Sequence, residues 1–338
     1  MRRSWIILVM LLAGLLMFAC ANKYLTSGKI AYNAKNYDKA ISDFTKALEV
    51  DSANAEAHFL LGKSYMAKND YASMRRHFDA AAKANPKYQA EAENASVEIW
   101  NNLFNSGNKN AKDEKWQDAL KDFQTAIVVI PTKYEAYTNT GYVWQHLENN
   151  DSAYYYYAKA VNLDRTNVKV LSNLASMTFN IKRYDESDSL YAIIIGLDPG
   201  NAEAWLRRGE IADQKGDYEQ AVTFYNKALE LKPDQCDIWF NLGVIYFQRL
   251  KKMENAEQAF SRAVDICPED VNALVNLNVV LISNNKLDDA IARLTSFTQK
   301  FPNECVGWDL LSQALLRKGE KEKAYETNKK YEDCKQAK

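Results

Sequence analysis

The sequence predicts an all-α chain built from repeated helix pairs, and three observations carry that prediction. Glycine and proline, the residues that interrupt helices, number 12 and 6 in 338 residues, about 5% where an average chain has roughly 12%. The chain repeats itself with a period of 34 residues from Ala21 to Lys338, and periods of this size mark solenoids and related arrays. Within each period small and aromatic residues alternate at helical spacing, as two helices packed knob into recess require. With 47% hydrophobic and 26% charged residues, the chain has the composition of a folded protein with a substantial core. Length alone suggests about two domains; the repeat running through the chain replaces that estimate with one continuous array over residues 20–338.

The first element is an address. Arg2 and Arg3 precede an almost wholly apolar run from Trp5 to Phe18, which ends at Ala19 and Cys20. A basic start and an apolar run of about 14 residues, too short for a transmembrane helix of about 20, read as a secretory signal; it spans residues 1–19. A cysteine directly after a small residue resembles the lipobox of bacterial lipoproteins, and the resemblance implies cleavage before Cys20 and acylation on it. Met17 stands where that motif usually carries leucine, and Phe18 is bulkier than its usual neighbour. An ordinary cleaved signal, or an uncleaved anchor helix, is the other reading. Ala21 in place of an aspartate resembles the sorting pattern for the outer membrane. The expected address is therefore the bacterial envelope, lipid-anchored at the outer membrane and facing the periplasm, with more than one acyl chain making the anchoring stable.

Nine repeats follow, at 21–54, 55–88, 100–133, 134–167, 168–201, 202–235, 236–270, 271–304 and 305–338. The eighth place is Gly28, Gly62, Gly107, Gly141, Gly209 and Gly243 in six of them, where the lack of a side chain lets the first helix approach the second. The twentieth place is Ala40, Ala119, Ala153, Ala221, Ala290 and Ala324, joined by Ala256 after a one-residue insertion. The twenty-fourth is aromatic: Phe44, Phe78, Phe123, Tyr157, Tyr191, Tyr225 and Phe260. All six prolines, Pro86, Pro131, Pro199, Pro233 and Pro302 and, after the one-residue insertion, Pro268, fall on the thirty-second place, where proline stops the second helix and sets the turn to the next repeat. This pattern resembles the tetratricopeptide repeat, which implies a right-handed superhelical solenoid of about nine helix-turn-helix units.

Two irregularities depart from the pattern. Residues 89–99 insert 11 residues with neither Gly nor Pro, about three helical turns, so the first helix of the third repeat is expected to extend without losing phase. That extension either packs on neighbouring repeats or forms an arm for a partner. The ninth repeat has Asn328 where an aromatic is expected and ends in KKYEDCKQAK, which suits a terminal cap whose outer face meets water.

No catalytic chemistry is legible. The three histidines, His58, His77 and His146, form no metal-ligating motif, and there is neither a nucleophile elbow nor a phosphate-binding glycine loop. No enzyme activity, metal or cofactor is therefore expected. The net charge is −1, and −3 once Arg2 and Arg3 leave with the signal, which argues against nucleic acid as a partner. Asp51 with Ser52, Asp151 with Ser152, and Asp188 with Ser189 resemble a bacterial O-glycosylation sequon, and helix capping accounts for them as well.

Four cysteines remain beyond Cys20. Cys236 opens the seventh repeat and Cys267 closes it; Cys305 opens the ninth and Cys334 lies at its end. The start of the first helix and the end of the antiparallel second are neighbours, so both pairs fall within disulfide reach, and an exported protein permits the bond. Four buried thiols are the alternative.

In the repeat family the inner face is lined by the first helices, mainly at places 2, 5, 6, 9, 12 and 13. The sixth place carries Asn105, Asn139, Asn173, Asn241 and Asn276, interrupted by Arg207. An amide donates and accepts together, so a spaced row can hold an extended peptide backbone. The row resembles the asparagine ladder of a superhelical sugar transferase, although asparagine is also common at that place in the family. Phe104, Tyr142, Phe179, Phe240, Val244, Phe247, Val275 and Val279 flank it and would supply apolar pockets. The expected function is a membrane-anchored interaction scaffold that binds protein or peptide segments in this groove and assists envelope assembly or secretion. The alternative is a non-enzymatic glycan- or ligand-binding lipoprotein of an uptake system.

Overall fold

A computed structural model describes residues 23–337; the signal segment and Cys20 lie outside the described residues. Among the described residues there are eighteen α-helices and no strand. The chain divides into two compact units, one up to Met177 and one from Thr178. The first contains α1 (23–33), α2 (Tyr37–Val50), α3 (Ala55–Ala67), α4 (Tyr71–Ala84), α5 (Gln89–Lys112), α6 (Trp116–Val129), α7 (Tyr134–His146), α8 (Asn150–Leu163) and most of α9 (Val168–Asn180). The second holds α10 (Tyr184–Leu197), α11 (Ala202–Lys215), α12 (Tyr218–Leu231), α13 (Cys236–Val244), α14 (Met253–Ile266), α15 (Val271–Ser283), α16 (Leu287–Lys300), α17 (Cys305–Lys318) and α18 (Lys321–Gln336). Among the described residues, no helix is long and apolar enough to cross a membrane.

Each pair closes on one steric relationship. A Cβ added at Gly28, Gly62, Gly107, Gly209 or Gly243 would sit 2.5–2.6 Å from the ring of Phe44, Phe78, Phe123, Tyr225 or Phe260, and at Gly141 2.9 Å from that of Tyr157. All six rings are buried. The glycine is the recess into which the ring of the same repeat is packed, so small and aromatic places are two halves of one contact.

The turn between paired helices is equally regular. The fifteenth residue of each repeat, shifted by one in the seventh, has φ between 55° and 92°: Lys35, Asn69, Glu114, Glu148, Lys182, Lys251 and Asn285, with Gly216 and Gly319. The next amide caps the preceding helix, as where Asp70 N donates to Tyr65 O at 3.0 Å and Asn149 N to Trp144 O at 3.0 Å. This is the left-handed helix cap that satisfies otherwise orphaned carbonyls. The residue inserted in the seventh repeat is absorbed by a π-turn over Ile245–Arg249, a form an extra residue gives a helix.

Between repeats the proline carbonyl serves as an acceptor. The indoles of Trp205, Trp239 and Trp308 donate to Pro199, Pro233 and Pro302 at 3.2, 3.0 and 3.0 Å. The insertion at 89–99 continues α5, which runs unbroken for 24 residues. Its Ala92 and, directly after its end, Trp100 are buried with Phe59, Phe78 and Ala81, and Glu91 pairs with Lys63 at 3.3 Å. The extension therefore packs on the second repeat. At the far end α18 buries only Ala324 and Thr327, leaving its other faces to water.

Candidate peptide-binding cleft

In the first unit, successive first helices α5, α7 and α9 line a cleft of about 620 Å³. Phe104, Asn139, Tyr142 and Asn173 meet there, with Asn108, Lys112, Thr138, Asn167 and Lys169. Asn139 Nδ2 donates to Asn108 Oδ1 at 2.8 Å, so two amides from adjacent repeats orient one another and keep their remaining donors and acceptors available. Asn105 is exposed and is not among the lining residues. Its role in the lining falls to Asn108, on the same helix at the ninth place of the repeat.

Apolar contact comes from both sides. Phe104 stacks on Trp100 at 4.5 Å. Tyr142 is 46% exposed and packs edge-on against His146 at 4.4 Å, which stacks on Trp116 at 4.3 Å. Behind them Tyr157 is buried, its hydroxyl donating to Gln145 Oε1 at 3.1 Å; burial, then the neighbouring Tyr142, pushes that phenol above its ordinary range. Lys112, Lys169 and Glu135 also line the cleft, and none has an ion-pair partner among the described residues.

The second unit places its share of the predicted row differently. Arg207 is engaged within its own helix, with Glu203 at 2.7 Å and Glu210 at 2.8 Å. Burial raises the Glu210 carboxyl above its usual value, with the Arg207 guanidinium opposing that rise. Asn276 Nδ2 donates to the carbonyl of Asn272 at 2.9 Å, and Asn241 is half-buried. Phe240, Val244, Phe247, Val275 and Val279 are partly buried against the core between α13 and α17, and Phe179 packs edge-on against Tyr184 at 5.6 Å. A second cleft of about 620 Å³ in this unit, lined by Glu257, Arg293, Phe297 and Phe301, contains none of the predicted row. The predicted cysteine pairs are at bonding distance: Cys236 with Cys267 at 2.06 Å and Cys305 with Cys334 at 2.02 Å.

The cleft residues absent from the predicted row carried a signal. Asn108 and Lys112 stand at places 9 and 13 of their repeat, Glu135 and Lys169 at place 2, and Thr138 at place 5, all inner-face places. A row traced along one place overlooks side chains that adjoining places bring to the same spot.

Comparison with known proteins agrees with this architecture. Family models described as tetratricopeptide repeat match residues 25–89 and 237–270, and one described as TPR repeat matches 214–249. The human protein "Tetratricopeptide repeat protein 6" is 27% identical over 167 residues, covering 43% of this chain and 32% of its own length. Human "Protein O-mannosyl-transferase TMTC3" is 26% identical over 166 residues, 47% of this chain and 18% of that protein. The chain thus spans a third or less of the curated relatives it matches. A crystal structure of a tetratricopeptide repeat protein from Parabacteroides merdae superposes with a TM-score of 0.51 at 19% identity, covering 70% of this chain and 93% of that one. The fold is an all-α array of tetratricopeptide repeats, an architecture used for protein–protein interaction.

Proposed function

We propose that the cleft between α5, α7 and α9 holds an extended segment of a partner protein, and that the chain is an interaction scaffold of the bacterial envelope, anchored through a lipid on Cys20. The observation that carries the reading is the convergence of Asn108, Asn139 and Asn173 with Phe104 and Tyr142 on one cleft. Amides pair with a peptide backbone whatever its sequence, and the rings beside them accept apolar side chains. Tetratricopeptide-repeat proteins typically bind protein or peptide partners, and the proposed role is non-enzymatic. Assembly or secretion within the envelope is the setting that the signal and lipobox resemblance suggest.

The test is affinity capture from crosslinked membranes with the native chain and with an Asn139→Ala, Asn173→Ala variant. A stoichiometric protein partner that the variant captures at least about ten times less well, a loss of about 1.4 kcal/mol, supports the reading. Equal capture by a variant of native helicity refutes the groove. Labelling with radioactive palmitate that disappears in Cys20→Ser supports the anchor, and labelling that persists removes it. A second reading, glycan binding, draws on exposed Tyr142 beside the stacked Trp116 and His146, a surface on which a sugar ring can lie. Ligand-induced shifts with glycans in place of a protein partner would select it.

A further inference from the structure

Outside the cleft, the two histidines of the second repeat lie together. Nδ1 of His58 on α3 and Nδ1 of His77 on α4 are 3.0 Å apart. Their ring centroids are 5.3 Å apart, the nitrogen separation plus one ring radius on each side, so the two nitrogens face each other head-on. Nε2 of His58 lies 3.1 Å from the carbonyl oxygen of Ser52. A carbonyl only accepts, so that nitrogen carries the hydrogen. In the neutral pair His58 then presents its lone pair at Nδ1, and His77 donates Nδ1–H to it. The His77 ring is held from one side by Tyr65, stacked at 5.6 Å and 5°.

We propose that His58 and His77 form a binding site for a borderline divalent transition-metal ion of the Zn(II), Cu(II) or Ni(II) class, held by both Nδ1 atoms. Imidazole nitrogen is a preferred ligand of these ions. A backbone carbonyl on the far ring nitrogen is the partner that fixes the tautomer of a metal-bound histidine, and His58 already has it. Metal–nitrogen distances of about 2.0–2.1 Å at a roughly tetrahedral angle require the two nitrogens to part by roughly 0.3 Å and each ring to turn its lone pair by about 35° away from the line joining them. When the ion enters, the hydrogen on Nδ1 of His77 moves to Nε2 of the same ring, so that both rings remain neutral and no net proton is released. Burial and the neighbouring His58 lower the His77 pKa to about 4, so protons do not compete for that ring near neutrality. No third imidazole, thiolate or carboxylate joins the pair among the described residues; water completes the coordination shell. The bound ion would fasten α3 to α4 across the second repeat.

The experiment uses the full chain without a histidine tag and Zn(II) as the probe. Equilibrium dialysis at neutral pH should find one ion per chain more in the native protein than in His58→Gln or His77→Gln. About 100 µM Zn(II) should raise the native thermal midpoint by about 2–3 °C and leave both variants unmoved. Long-range nitrogen–proton spectra of the native chain should show His77 passing from the Nδ1–H to the Nε2–H form as zinc is added. Equal binding by the variants, or an unchanged His77 tautomer at about 1 mM Zn(II), overturns the site. The tautomer measurement decides the matter even where a variant does not fold.

Discussion

The ring of Tyr225 occupies the space that a side chain on Gly209 would need: a Cβ there would lie 2.6 Å from two ring carbons. Because Tyr225 is 1% exposed, the ring has no open side toward which to withdraw. Gly209→Ala is expected to destabilise the second unit by about 1–3 kcal/mol through overpacking. Adding Tyr225→Leu should recover part of that loss, because the smaller side chain frees the recess. Urea unfolding of the three chains measures both effects, and additive losses would show that the two places do not act as one contact.

Glu148 has a φ of 56°, a backbone region that costs a residue with a Cβ about 1 kcal/mol or more. Glu148→Gly should therefore stabilise the first unit by about 0.5–1 kcal/mol, net of the greater freedom of glycine in the unfolded chain. At the equivalent place Gly216, with φ 81°, Gly216→Ala should be destabilising by a similar amount. Denaturation midpoints that move in the same direction for both variants would contradict this.

The bonds Cys236–Cys267 and Cys305–Cys334 span 31 and 29 residues of sequence. Closing loops of that size restricts the unfolded chain and is worth about 3–4 kcal/mol each in the loop-entropy description. Replacing either pair by serine should lower the stability of the second unit by about 2–4 kcal/mol and leave the first unit unchanged. Unfolding followed by a tryptophan in each unit, Trp116 and Trp239, would distinguish them.

Acid should weaken the second repeat. The folded pKa of His77, lowered to about 4 from 6.5, lies below that of the unfolded chain, so the unfolded state binds the proton more readily. The associated stability is complete above pH 6.5 and is lost as pH falls toward about 4. Full conversion of that shift would give about 3 kcal/mol. Because the ring is only half-buried, solvent screening reduces the expectation to about 1–2 kcal/mol. His77→Gln should remove this part of the pH dependence; an unaltered slope in that variant would refute the assignment.

The regularities visible in the sequence are those tied to a change of residue type. Glycine, alanine and proline recur where close helix approach favours a small side chain or where a helix must stop, so the recess at Gly209 and the stop at Pro199 were legible. The cysteines were placed by the antiparallel geometry of a helix pair. The left-handed turns were not legible, because Lys35, Glu114 and Lys182 carry no compositional mark of their conformation. There the capping bonds of the turn offset part of the strain, and a residue with a side chain is accommodated. The asparagine row was legible as a row, but its local meaning was not. Asn139 finds Asn108 in the neighbouring repeat, Arg207 is taken up by two glutamates on its own helix, and Asn276 turns to its own backbone. Such choices depend on residues three or four places along a helix and on the next repeat, which one column of a repeat pattern does not contain.

The two disulfides each join the start of a repeat to its end, and this governs how the second unit responds to tension. A pull transmitted along the backbone passes through the sulfur–sulfur bond at Cys236 and leaves at Cys267, bypassing the helices between them. The 31 residues in that segment, about 100 Å of extended chain at 3.3–3.6 Å per residue, cannot be drawn out while the bond lasts. The eighth repeat has no such bond among the described residues and can lengthen between two that cannot. Stretching a single molecule before and after reduction would reveal that concealed length as additional extension.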